Sequence, residues 1–129
     1  MFFENPKQNI EILIAKSADT TNKPFLHSVV KVCGENNDFI TNDLDVTFRV
    51  LCRDREGNRI ERYDLEIEIF KSNDELVLVI AKLHYPNEPI LWSGIKNLWM
   101  DSNNGKRCEP PKYNFRLENL ATRIKNFIN

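Results

Sequence analysis

Three carboxylates, Asp64, Glu66 and Glu68, fall at alternating positions in one segment, with Asp43 and Asp45 in the segment before it. Carboxylates gathered on one strand face can bind a hard divalent cation or move protons. The same face is expected to carry Arg49 and Lys82 beside Asp64, which would neutralise that carboxylate. Cross-strand ion pairs, worth roughly 0.2–1 kcal/mol each, therefore outweigh a metal-dependent enzyme as the reading. His27 and His84 are the only histidines, and Cys33, Cys52 and Cys108 the only thiols. Nucleophilic catalysis needs a base with an orienting partner next to the nucleophile, and no spacing here supplies one. No phosphate loop, dinucleotide fingerprint or nucleophile elbow occurs. No catalytic residue, metal ligand or cofactor is assigned.

Aromatic and basic residues form a second constellation. Trp92 and Trp99 stand among Lys96, Lys106, Arg107 and Lys112, with Tyr85 and Tyr113 nearby. Such a mixture can stack bases of single-stranded nucleic acid or line a small-ligand pocket. Leu91, Ile95 and Leu98 flank the two tryptophans, however, and that pattern suits a core.

The elements that must position these groups are clearest between Leu44 and Tyr85. Leu44, Val46, Phe48, Val50 and Cys52 alternate with polar residues, as do Tyr63, Leu65, Ile67 and Ile69. A period of two marks strands with one buried face, expected over about 44–53, 59–71 and 76–85. A two-residue loop at Glu56 and Gly57 would set Val50 opposite Tyr63, Phe48 opposite Leu65 and Arg49 opposite Asp64. A three-residue turn at Ser72, Asn73 and Asp74 would set Ile67 opposite Val79 and Asp64 opposite Lys82. Val77, Val79, Ala81, Leu83 and Tyr85 then face the core. Phe70, Leu78 and Ile80 are left on the second face beside Glu66 and Glu68.

Residues 114–128 form an amphipathic helix, with Leu117, Leu120, Ala121, Ile124, Phe127 and Ile128 at helical spacing and Asn114 as N-cap. Asn5, Pro6 and Gln8 resemble a helix start, so 5–17 is read as a helix, although Ile10, Ile12 and Ile14 also alternate. Residues 25–33 are read as a strand on Val29, Val30 and Val32, although Phe25, Val29 and Val32 also fit a helix ended by Gly34. The segment 90–100 holds a short strand and a turn at Gly94, and 101–112 a loop.

These elements make one α+β domain over residues 1–129, an antiparallel meander packed with an N-terminal and a C-terminal helix. Were 9–15 a strand, seven strands and the final helix would instead resemble a pleckstrin-homology-like barrel.

With 41% hydrophobic and 29% charged residues, the composition is that of an ordinary globular chain. Residues 1–95 hold 11 Lys/Arg against 16 Asp/Glu, whereas 96–129 hold 7 against 3. That basic excess is small for a nucleic-acid binder. No apolar run could span a bilayer and no secretory signal is visible, so a cytoplasmic protein with reduced thiols is expected and no membrane partner. The expectation that follows is a non-catalytic protein-interaction or regulatory domain. Its partner, a second copy or another protein, would cover Phe70, Leu78 and Ile80 within a rim of Glu66 and Glu68. The alternative is a small-ligand or nucleic-acid binder using Trp92, Trp99, Lys96, Lys106, Arg107 and Lys112.

Overall fold

A computed structural model describes residues 6–35, 45–112 and 115–128 of the chain. The caps assigned to Asn5 and Asn114, the strand start at Leu44, Asp43 and Tyr113 lie outside the described residues. The order of elements is α1 (Pro6–Thr21), β1 (Leu26–Glu35), β2 (Asp45–Arg53), a 3₁₀ turn (Glu61–Tyr63), β3 (Leu65–Ser72), β4 (Glu75–Lys82), β5 (Ile90–Ser93), β6 (Asn97–Met100) and α2 (Phe115–Ile128). All six strands form one antiparallel sheet in sequence order. The sheet is open, so the barrel alternative does not hold. Among the described residues no helix is long and apolar enough to cross a membrane.

Both helices pack on one face of the sheet. Ile10, Leu13, Ile14, Ser17 and Ala18 recur at helical spacing on α1 and are all buried, while Ile12 is 49% exposed. The helical period therefore wins over the alternation of isoleucines. From α2, Leu120, Ala121 and Ile124 join the same core. Beneath them lie Val46, Phe48 and Val50 of β2, Leu65, Ile67 and Ile69 of β3, and Leu76, Leu78 and Ile80 of β4.

Two register expectations change. In the first hairpin Val50 pairs with Leu65, Phe48 with Ile67 and Arg49 with Glu66. The 3₁₀ turn takes up the residues expected to begin the strand, which moves the pairing by two positions and leaves the faces intact. In the second hairpin Ser72 pairs with Glu75, and Asn73 and Asp74 form a two-residue turn with φ of 54° and 65°. Positive φ at both positions is the turn that matches the twist of paired strands. Ile67 consequently meets Ile80 rather than Val79. That single step exchanges the faces of β4. Leu78 and Ile80 lie at 0% exposure under the helices, while Val79 and Ala81 face away.

The last strands differ too, because residues 90–100 make a full hairpin, β5 and β6, around Gly94. A Cβ at Gly94 would collide with the Glu75 carboxylate, which accepts the Ile95 N–H. Lys125 of α2 reaches over this turn and donates to Ser93 Oγ and the Gly94 carbonyl, both at 2.8 Å.

Candidate functional site

Opposite that turn, the other end of the sheet opens into a cleft of about 540 Å³. The C-terminal turns of α1, the first turns of α2, the start of β3 and the end of β4 surround it. Its apolar surface comes from Ala18, Leu65, Trp99, Leu117 and Leu120. Polar groups enter from separate elements: Asn22 and His27 around the α1–β1 link, Arg62 and Tyr63 from the 3₁₀ turn, Lys82 at the end of β4 and Glu88 after it, Lys112 before α2 and Arg116 in its first turn. A volume of this size, an apolar lining and a few convergent polar groups are the usual make-up of a small-molecule site.

A chain of hydrogen bonds orders one wall. Arg116 Nη1 donates to Asn22 Oδ1 at 2.7 Å, and the Asn22 amide nitrogen lies 3.3 Å from His27 Nε2. With the amide donating, Nε2 is an acceptor, so the ring proton sits on Nδ1, 2.9 Å from Asp19 Oδ1. Burial holds the His27 pKa below its ordinary value, against the raising effect of Asp19. His27 is therefore a neutral, oriented link.

Tyr63 lies against the Arg116 end of this chain. The Arg62 guanidinium carbon lies 4.8 Å and that of Arg116 5.7 Å from the Tyr63 ring centroid. Hydrogen bonding from Arg62 lowers the Tyr63 pKa, and Arg116 adds to the effect, while burial opposes it. Lys82 Nζ meets Glu88 Oε1 at 3.2 Å on the rim.

Next to the cleft, Asp64 is wholly buried and serves the fold. The 3₁₀ turn pulls the chain away from the end of β2, where Cys52 lacks a ladder acceptor. Asp64 Oδ1 takes the Cys52 N–H at 2.7 Å, and its Oδ2 receives Arg59 and, at 2.9 Å, His84. Cys52 itself is buried and its thiol pKa is pushed up to about 11, chiefly by burial. A protonated thiol sealed in a core is a poor nucleophile.

The residues singled out in the sequence are divided by this structure. Phe70, Glu66 and Glu68 lie on the sheet face away from the helices, and Phe70 packs edge-on to Trp92 with centroids 5.5 Å apart. Leu78 and Ile80 are in the core, so the five residues do not share a surface. Arg49 pairs with Glu66 at 3.5 Å, not with Asp64. Burial and the nearby Asp45 raise the Glu68 pKa. Among the described residues, no three of His, Cys, Asp and Glu come together as metal ligands.

The second set is split as well. Trp99 and Lys112 line the cleft, and Trp99 Nε1 donates to Glu118 at 2.8 Å. Trp92 is on the far face, Lys96 is in the β5–β6 turn, and Lys106 and Arg107 are exposed on the loop after β6. Sequence reasoning missed Asn22, His27, Arg62, Tyr63 and Arg116 as neighbours. One signal was present: Lys112 and Arg116 bracket the start of a helix, where the dipole favours acids.

The family described as Domain of unknown function (DUF8659) matches the chain over residues 11–127. No curated protein and no solved structure matches it.

Proposed function

We propose, for a chain that belongs to this family of unknown function, a non-catalytic binding domain whose cleft holds a small organic molecule. The observation that carries the reading is the cleft itself, about 540 Å³ with an apolar lining and polar groups contributed by several elements. The neutral His27 link and the buried, protonated Cys52 thiol favour binding over chemistry. The protein-interaction reading loses the surface it relied on, because Leu78 and Ile80 are covered by the chain's own helices. The nucleic-acid reading loses its continuous basic track, because Lys96, Lys106 and Arg107 do not line the cleft.

Trp99 offers a built-in reporter. In a Trp92→Phe background, titration with 1-anilinonaphthalene-8-sulfonate should change Trp99 emission and raise the melting temperature by mass action. Leu117→Trp, which fills the cleft from a half-buried position, should abolish both responses while leaving the circular dichroism spectrum intact. Unchanged dye binding in Leu117→Trp would remove the cleft as the site.

A further inference from the structure

Resting on the cleft reading, we infer that the ligand is an organic anion, an oxyanion headgroup on an apolar body, with the headgroup held between Arg62 and Arg116 at the Tyr63 hydroxyl. Among the described residues, four cationic side chains line the cleft, Arg62, Lys82, Lys112 and Arg116, with one carboxylate, Glu88. That carboxylate is already met by Lys82. Two guanidiniums approach the same phenol ring, 4.8 and 5.7 Å from its centroid. An oxyanion placed beside that ring could accept hydrogen bonds from both. The planar fork of arginine suits carboxylate and phosphate oxygens in particular.

The clamp is ordered in advance on one side. Asn22 Oδ1 accepts from Arg116 Nη1, and Asn22 is in turn oriented by His27, itself held by Asp19. An arginine whose direction is set by a buried network loses less freedom when a ligand arrives. The Tyr63 pKa is lowered first by hydrogen bonding from Arg62 and then from Arg116, which brings both guanidiniums to the phenol oxygen. The start of α2 adds its dipole with the same sign. Leu65, Trp99, Leu117 and Leu120 then require an apolar body, which inorganic phosphate alone does not provide.

The test uses four probes on one ring system: naphthalene-2-carboxylate, 2-naphthyl phosphate, naphthalene-2-methanol and 2-naphthylmethylammonium. Trp99 emission and melting temperature are read on the full chain in the Trp92→Phe background. At least one of the two anions should bind about tenfold or more tighter than the alcohol, as a charge-assisted hydrogen bond allows, and the ammonium weakest. Which anion wins separates a carboxylate from a phosphate headgroup. Added salt should weaken anion binding and spare the alcohol. Arg62→Gln, at an exposed position, and Arg116→Gln should each cost the anions about tenfold and leave the alcohol within about twofold. If the alcohol or the ammonium binds as well as the tighter of the two anions, the inferred headgroup is wrong and the cleft reading stands. If none of the four probes binds, the cleft reading itself falls. Binding of a mixed single-stranded oligonucleotide that displaces the naphthyl anions would also overturn the inference.

Discussion

Replacing Asp64 with alanine should cost the domain about 2–4 kcal/mol, most of it from one backbone group. The Asp64 side chain is at 0% exposure and receives the Cys52 N–H at 2.7 Å, together with Arg59 and His84. Alanine leaves the Cys52 N–H buried and unpaired, a loss of about 1–3 kcal/mol. The Arg59 and His84 side chains are 48% and 40% exposed, so water takes over their pairing. Each then contributes at most about 1 kcal/mol, and no charge is stranded in the interior. Asp64→Asn keeps an acceptor for Cys52 and should cost only about 1–2 kcal/mol. Total stabilities of about 5–15 kcal/mol leave both variants folded. Urea unfolding at neutral pH is the assay, with a lower midpoint and an unchanged slope expected. An Asp64→Ala variant within about 0.5 kcal/mol of the parent would refute the idea that this carboxylate repairs the strand ladder. So would an asparagine variant as damaged as the alanine one, because charge and not acceptor geometry would then dominate.

His27 makes stability depend on pH. Its folded pKa lies below 6.5, mainly through burial and with help from Arg53, while Asp19 and Asp64 oppose. Below pH 6.5 the unfolded chain binds a proton that the folded chain resists, so stability falls as the pH drops towards the folded value. Urea midpoints at about pH 7 and about pH 5.5 should differ less in His27→Gln than in the parent; equal slopes would reject the assignment. Gly94→Ala should cost about 1 kcal/mol by displacing the flexible Glu75 carboxylate from the Ile95 N–H, and the loss should largely vanish in a Glu75→Ala background. Leu78→Ala should cost about 2–5 kcal/mol. Leu78→Glu should unfold the domain, seen by circular dichroism, whereas a folded variant altered only in association would return Leu78 to the surface.

The two hairpins show how far pattern alone reaches. Strands β2 and β3 alternate strictly, so their faces survive even though the 3₁₀ turn moves the register by two residues. Strand β4 is apolar at Leu76, Val77, Leu78, Val79 and Ile80 in succession. Either face could then be buried, and turn chemistry decides. Asn73 and Asp74 tolerate positive φ, so the shorter turn was available to be read, but hydrophobicity could not select it. The expected interface at Phe70, Leu78 and Ile80 depended on that one step.

The cleft was legible only in fragments. Trp99 and Lys112 belonged to the ligand-binding alternative, but their partners are scattered from Ala18 to Leu120. Arg116 and Asn22, 94 positions apart, share a hydrogen bond that no local spacing announces.

Sequence by itself determined the α+β class, the amphipathic helices and most of the strands, because period and side-chain shape act over a few neighbouring residues. Tertiary structure decided which face of β4 is buried, which residue completes the ladder at Cys52, and which cations meet at Tyr63. Those outcomes depend on contacts between distant segments, and they come into being only when the two helices close over one side of the sheet.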